Sequence, residues 1–251
     1  MKIVGISDMH GIYKGYTIPK ADILCICGDI VPLSLQRDIE LSDDWFNNDF
    51  IPWCCKQPVE QVYLIGGNHD KFLMNRKYVI DQYLKDTKIN YLDNSSCEYT
   101  DDNGKVYTIF GSPDCHIFGN WSFMYEPKTE LEHFRKIPKN CDILLTHDAA
   151  YGENDIILQD IYWNKHEHIG NPELAIVLDE LREQKCTPKL HLTGHLHSTE
   201  HNLTDYDGIK TACVSLLDEH YNLTDYNGIK TACVSLLDER YKLTYKPFVV
   251  E

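Results

Sequence analysis

The sequence predicts an α/β fold in which two mixed β-sheets face each other and are flanked by helices. Three observations carry this. Short apolar runs rich in β-branched residues recur along the chain, and most end in a small polar motif. Segments with helical apolar spacing lie between them. From about Asn90 the pattern changes to short strands around the turn Asp101-Asp102-Asn103-Gly104, as expected where a second sheet begins. No linker or shift in composition interrupts the chain, so residues 1–251 read as a single domain.

The elements follow in order. Lys2–Ser7 reads as a buried strand, and Asp8 and His10 come directly after it. Two residues apart on extended backbone, they point to one side and could chelate one divalent ion, or they are turn residues. Ala21–Cys27 is a second strand and ends in Gly28-Asp29. The glycine permits a tight turn, and the carboxylate has two oxygens that could bridge cations roughly 3.5–4 Å apart. Its other reading is a turn or cap. Asp43–Trp53 reads as a helix capped by Ser42 or Asp43, with Trp45, Phe46 and Phe50 on one face.

Gln61–Gly66 leads into Gly67-Asn68-His69-Asp70, the most specific local signal. Asn68 offers a neutral amide oxygen. His69 could give a proton to a leaving oxygen, with Asp70 accepting its other N–H, or the motif is a polar turn. Asn75–Lys85 reads as a helix. Tyr91-Leu92, Ser96–Tyr99 and Lys105–Phe110 read as strands of the second sheet. Asp142–Thr146 is a strand ending at His147. Glu173–Gln184 is a helix with Pro172 at its start and a stripe of Leu174, Val177, Leu178 and Leu181. Lys189–Thr193 is a strand ending in Gly194-His195-Leu196-His197. Polar groups gathered at strand ends match the place where open α/β sheets bind ligands.

Residues 201–220 and 221–240 repeat without gaps, differing only at His201/Tyr221, Asp207/Asn227 and His220/Arg240. Tyr241-Lys242-Leu243-Thr244 begins a truncated third copy. Two full units cannot make a solenoid. The unit reads as a β-meander used twice, and one sheet position cannot take both copies. The extra copy is expected to add an edge hairpin or loop out, which makes a homo-oligomer through this segment plausible.

A chain of 251 residues with 43% hydrophobic and 25% charged composition is an ordinary globular protein. No run reaches the ~18 apolar residues of a membrane span, and a strand beginning at Lys2 leaves no room for a signal peptide. No membrane partner is expected. The ten cysteines form no Cys-x-x-Cys pair, which favours reduced thiols in a cytoplasmic protein. A net charge of −15 without basic runs disfavours long nucleic acids. A small anion remains acceptable, because divalent cations chelated beside Asp8 and Asp29 would make such a site locally positive. His166-Glu167-His168 reads as a surface loop and His191 as a buried histidine behind the last motif. His133, His201 and His220 have no motif around them.

Taken together, Asp8-x-His10, Gly28-Asp29, Gly67-Asn68-His69-Asp70, His147 and Gly194-His195-x-His197 resemble the calcineurin-like metallophosphoesterases. That resemblance implies the four-layer sandwich of the family and a site for two divalent metal ions. By it, Asp8, His10 and His197 hold one ion, and Asn68, His147 and His195 hold the other. Asp29 bridges them, His69 is the catalytic acid, and a hydroxide shared by the ions attacks phosphorus. Manganese is the first choice of metal, with Fe, Zn, Co or Ni compatible with the same ligands.

Gly111-Ser112-Pro113 followed by Phe118, Asn120-Trp121 and Phe123 is similar to the G-[ST]-P…W-x-F segment of the metallophosphoesterase-domain-containing group. Its members are described as phosphodiesterases, including cyclic-nucleotide ones. This chain departs from the group at Thr146-His147-Asp148-Ala149-Ala150, where T-H-G-P-P is usual. The Gly111–Phe123 region, with Asp114 and His116, is either a substrate rim or core. The implied activity is hydrolysis of small phosphodiesters. The competing readings are a phosphomonoesterase and a non-catalytic binding module on the same fold.

Overall fold

The computed structural model describes residues 1–14, 17–156, 167–197, 199, 202–214 and 248–250. Two mixed sheets flanked by helices form the fold. The first has five strands in the order β11-β1-β2-β3-β4, and the second has six in the order β5-β6-β7-β8-β10-β9. In the first, β1 (Ile3–Ile6), β2 (Ile23–Cys27), β3 (Gln61–Ile65) and β4 (Ile89–Tyr91) run parallel, and β11 (Phe248–Val250) closes the edge antiparallel to β1. In the second, β5 (Ser95–Thr100) and β6 (Val106–Ser112) form a hairpin. β7 (Cys141–Thr146), β8 (Leu190–Thr193) and β10 (Ile209–Cys213) follow in parallel, with β9 (Thr204–Tyr206) outermost.

Strand alternation separates two apolar layers. Ile143 and Leu145 of β7 join Ile65, Leu192 and Val214 in the core between the sheets, where a Cβ on Gly5 would lie 3.1 Å from Val214 and 3.2 Å from Leu192. Leu144, between them in sequence, packs with Phe110 against the outer helices. Those helices are α5 (Pro127–Phe134) and α6 (Pro172–Glu183). The expected stripe of α6, Leu174, Val177, Leu178 and Leu181, is buried. Each such side chain contributes about 1.5–3 kcal/mol when removed from water. The Asn171 side chain caps the helix by accepting from Leu174 N–H at 3.0 Å.

The structure corrects three local expectations. The helix expected over Asp43–Trp53 is instead α1 (Ile39–Trp45), a π-helical turn (Phe46–Phe50) and α2 (Ile51–Lys56) in succession. Pro52 explains the wide turn, since a proline inside an α-helix lacks the N–H and clashes with the preceding turn. The cap is Asp38, whose carboxylate accepts from Leu41 N–H at 3.0 Å, and Ser42 lies buried within the helix.

The second correction concerns Asn75–Lys85, which divides into α3 (Lys71–Asn75) and α4 (Lys77–Leu84), with Arg76 at φ −121°, ψ 21° turning the chain between them. Third, the Tyr91 strand belongs to the first sheet. It pairs parallel with β3 after the α4 crossover, so the change to hairpin structure falls after Leu92. At the hairpin turn Asp101 accepts from the N–H groups of Asn103 and Lys105, both at 2.9 Å.

The first repeat copy supplies the β9–β10 hairpin, turning at Asp207 (φ 49°) and Gly208 (φ 90°), and β10 takes the place beside β8. The second copy and the proposed oligomer contact lie outside the described residues, as do His166, His201 and residues 215–220 of the first copy. Among the described residues no helix is long and apolar enough to cross a membrane. The described cysteines form no disulfide.

His191 on β8 is fully buried. Its Nε2 lies 2.8 Å from Thr146 Oγ1, whose own proton goes to the Asp148 carbonyl at 2.5 Å. Nε2 therefore donates, and Nδ1 has no partner among the described residues. Burial, aided by Arg182, holds the ring's pKa down to about 3 against an ordinary 6.5. The unfolded chain binds a proton below 6.5 that the folded chain refuses. Stability is therefore full above that pH and falls as the medium is acidified, by up to about 1.4 kcal/mol per pH unit. Urea unfolding between pH 7 and pH 5 should show a flatter pH slope for His191→Leu than for the parent. Equal slopes would overturn the assignment.

Candidate metal centre

Because β1, β2 and β3 are parallel, their carboxyl ends align, and those of β7 and β8 align opposite them. Backbone bonds then lash the connecting loops together. Asp8 N–H donates to Gly28 O at 3.0 Å, His10 N–H to Asp29 O at 2.9 Å, and Gly194 N–H to His147 O at 2.9 Å. Asp8, His10, Asp29 and His195 all hold left-handed backbone, with φ of 52°, 43°, 51° and 66°. Such conformations cost about 1–3 kcal/mol each and concentrate at functional sites. Two glycines allow the close approach. A Cβ on Gly67 would lie 2.3 Å from Asp29 Oδ1, and one on Gly194 would lie 2.2 Å from Ser7 Oγ.

The expected ligands converge at this edge. Asp8, His10 and His197 offer donor atoms within 4.8 Å of one another, as do His10, Asp29 and His69, and Asp8, Asp29 and His147. Asp29 turns its oxygens to different imidazoles: Oδ2 lies 3.9 Å from His10 Nε2, and Oδ1 lies 3.5 Å from His147 Nε2. His197 Nε2 is 3.3 Å from Asp8 Oδ1. Asn68 Oδ1 is 3.0 Å from His147 Nε2. The His195 ring sits 5.2 Å from that of His147, and its backbone N–H donates to the Asp8 carboxylate at 3.0 and 3.2 Å.

His147 tests whether these residues fit a cation. Its Nδ1–H donates to Cys27 O at 2.7 Å, which fixes the tautomer and leaves a lone pair on Nε2. That lone pair faces the amide oxygen of Asn68 and the carboxylate oxygen of Asp29, in a fully buried place. Three electron-rich atoms so placed require a positive centre among them, either a proton or a metal ion. The residues fit a divalent ion.

The protonation tendencies agree. Burial opposes the imidazolium of His147, but Asp29 and then Asp8 outweigh it and push the pKa up to about 10. Burial favours the neutral acid at Asp29, yet His147, His69 and His10 hold the carboxyl well below its usual range. Burial brings His10 and His195 down to about 4. Both are then neutral near pH 7 and able to ligate.

His69 and Asp70 correct one expectation. Asp70 does not orient His69. Its buried carboxylate instead accepts from the backbone N–H groups of Ile30 and Val31, both at 3.0 Å, and of Gly67 at 2.9 Å. It pins the second motif to the third. Burial, then the nearby Asp29 charge, pushes its pKa up to about 7. The partner of His69 Nδ1 is the Gln36 side-chain oxygen, a residue without any motif around it. The Nε2 atom of His69 lies 3.8 Å from Asp29 Oδ2. Burial lowers the pKa of this ring.

The Gly111–Phe123 region divides between rim and core. Phe123 is core, and Asp114 is buried between His133 (2.6 Å) and Asn94 (2.8 Å). Phe118 is exposed, and its ring stacks on His195 with centroids 5.1 Å apart. Trp121 lies 4.5 Å from the His69 ring and carries the Arg37 guanidinium 4.8 Å above its own. One loop therefore flanks the centre on two sides. Two other described histidines are structural in setting: His168 bonds Asp155 at 2.6 Å, and His191 lies behind the centre.

A buried array of imidazoles, carboxylates and an amide at the strand ends of a two-sheet α/β fold defines a hydrolytic metal-site class. The chain belongs to the calcineurin-like phosphoesterase family, whose model matches residues 1–199, a span holding every motif from Asp8 to His197. It is 26% identical over 214 residues to human "Metallophosphoesterase domain-containing protein 1", covering 78% of this chain and 60% of that protein. It is 28% identical over 202 residues to "Probable rhamnogalacturonate lyase C" of Emericella nidulans, covering 78% of this chain. The chain spans 17% of the length of that second relative. A solved crystal structure with 14% identity superposes at a TM-score of 0.58, covering 85% of this chain and 90% of the other, and supports the fold.

Proposed function

We propose that this protein is a two-metal phosphodiesterase of small substrates, cyclic nucleotides among them. The observation that carries the reading is the Nε2 lone pair of His147 turned toward two oxygens, those of Asn68 and Asp29. Asp8, His10 and His197 would hold one ion and Asn68, His147 and His195 the other, with Asp29 shared between them. Bound there, divalent ions, manganese first, would neutralise phosphoryl charge and supply an activated water.

The chain's own residues supply the rest. The Gln36 oxygen accepts from Nδ1–H of His69 and turns Nε2 to the centre, where the imidazolium form, opposed by burial and favoured by the nearby Asp29 charge, would give its Nε2 proton to the leaving oxygen. Asp70 ties Ile30, Val31 and Gly67 together and keeps Asp29 and His69 in register. An apolar rim of Phe118 and Trp121 suits an ester bearing organic groups, which favours a diester over a monoester. Free thiols accord with a cytoplasmic location.

The test is metal analysis followed by turnover of bis-p-nitrophenyl phosphate against p-nitrophenyl phosphate. About two ions per chain and faster diester cleavage are expected. Monoester turnover alone would support a phosphomonoesterase. Bound metal without any turnover would support a binding module.

A further inference from the structure

Outside the proposed ligands, one further imidazole stands at the mouth of the centre on a buried carboxylate. Asp148 directly follows His147 and is fully buried. Burying a carboxylate beside other acids is costly unless it has bound partners. His116 provides them. Its Nδ1 lies 2.6 Å from Asp148 Oδ2, and its backbone N–H donates to the same oxygen at 3.2 Å. The other oxygen, Oδ1, is buried without a partner among the described residues. While Asp148 shows no exposure, the His116 side chain keeps 27% of its surface in solvent. Anchored through Nδ1, the ring keeps Nε2 for a ligand.

The neighbours show where that ligand lies. The rings of His116 and Phe118 are 5.6 Å apart, and Phe118 stacks on His195. His116, Phe118 and His195 thus form a row from the rim to the metal centre. Phe118 and Ile117 are 40% and 50% exposed, an apolar ledge beside a polar ring nitrogen. A planar organic group on the ledge would bring its polar atoms to His116, while its phosphoryl group reached the centre.

We propose that His116 is a substrate-positioning residue, held by Asp148 so that Nε2 meets the alcohol part of a phosphoester whose ring lies on Phe118. The substrate class is an ester of a nucleoside or other ring-bearing alcohol. The inference rests on the phosphoesterase reading above and deepens it.

Two diesters with one leaving group test it on the metal-loaded protein: p-nitrophenyl thymidine 5′-phosphate and methyl p-nitrophenyl phosphate. His116→Ala should lower kcat/KM for the thymidine ester about tenfold more than for the methyl ester, mainly through KM. His116→Gln, which keeps a hydrogen-bonding group, should recover part of the loss. Asp148→Asn should give a similar but smaller discrimination. Metal content and circular dichroism should match the parent. Equal losses on the two esters, or loss of metal in His116→Ala, would overturn the proposal. If the parent cleaves neither diester, the phosphoesterase reading fails, and binding decides this inference separately. Thymidine 5′-monophosphate should bind the metal-loaded His116→Ala protein about tenfold more weakly than the parent. Equal affinities would overturn it.

Discussion

Replacing Asp29 by asparagine is expected to remove nearly all turnover, a loss of about 10³-fold or more. Outer partners of metal ligands typically cost 10–100-fold. The change is almost isosteric, so its effect is one of charge. Asp29 is the buried carboxylate whose two oxygens face His10 and His147 separately. An amide in its place loses the negative charge and one anionic oxygen. His147 would lose the main group that favours its positive form. On the proposed assignment both ions lose a ligand together, whereas His197→Ala weakens only one. Activity and metal content measured side by side should therefore rank Asp29→Asn below His197→Ala. Near-native turnover and metal content in Asp29→Asn would show that Asp29 is no bridge.

The second large effect belongs to His69. As a general acid it should contribute roughly 10²–10⁴-fold when the leaving group is a poor one, such as an alkoxide. With p-nitrophenolate, which departs without help, the loss in His69→Ala should shrink markedly. Plotting the ratio of parent to variant rate against leaving-group pKa gives the readout. A flat line would assign His69 to the metal centre or to the fold. The geometry adds a control. The Gln36 side-chain oxygen is the group on Nδ1 of His69, so Gln36→Leu should show a weaker form of the same leaving-group dependence. Both variants should retain the parent's metal content.

Why the ligand positions could be read from sequence follows from their locality. Asp8, Asp29, Asn68, His147 and His195 each stand at the end of an apolar run, and parallel strands carry such ends to one edge. Contacts across the fold were not readable. Asp70 accepts from Ile30 and Val31 at separations of 40 and 39 residues, and no local pattern distinguishes that from pairing with the adjacent His69. Gln36 reaches His69 across 33 residues, and His116 reaches Asp148 across 32. The residue Asp148 stood out as a departure from T-H-G-P-P, but nothing in the chain announced its partner. Among the helices, the stripe of α6 has a regular period and was legible to within a residue at each end. The α1–α2 segment was not, because Pro52 imposes a π turn that breaks the regular period. The sheet of the strand at Tyr91 is not legible in its sequence, since membership depends on the crossover through α4 and not on the strand's own residues.

The centre draws on both sheets: Asp8, Asp29 and Asn68 leave the first, and His147 and His195 leave the second. Across this seam His147 also donates to Cys27 O at 2.7 Å. An ion held by ligands from two layers would act as a clasp on the sandwich, and occupancy would be linked to cohesion. Selective binding to the folded chain at 100 times Kd adds about 2.7 kcal/mol to stability, a sizeable share of the 5–15 kcal/mol typical of a domain. The linkage runs both ways. Loosening the apolar layer between the sheets, even at Ile65 or Ile143, would weaken ion affinity without touching a ligand, because the two halves of the clasp would part more readily.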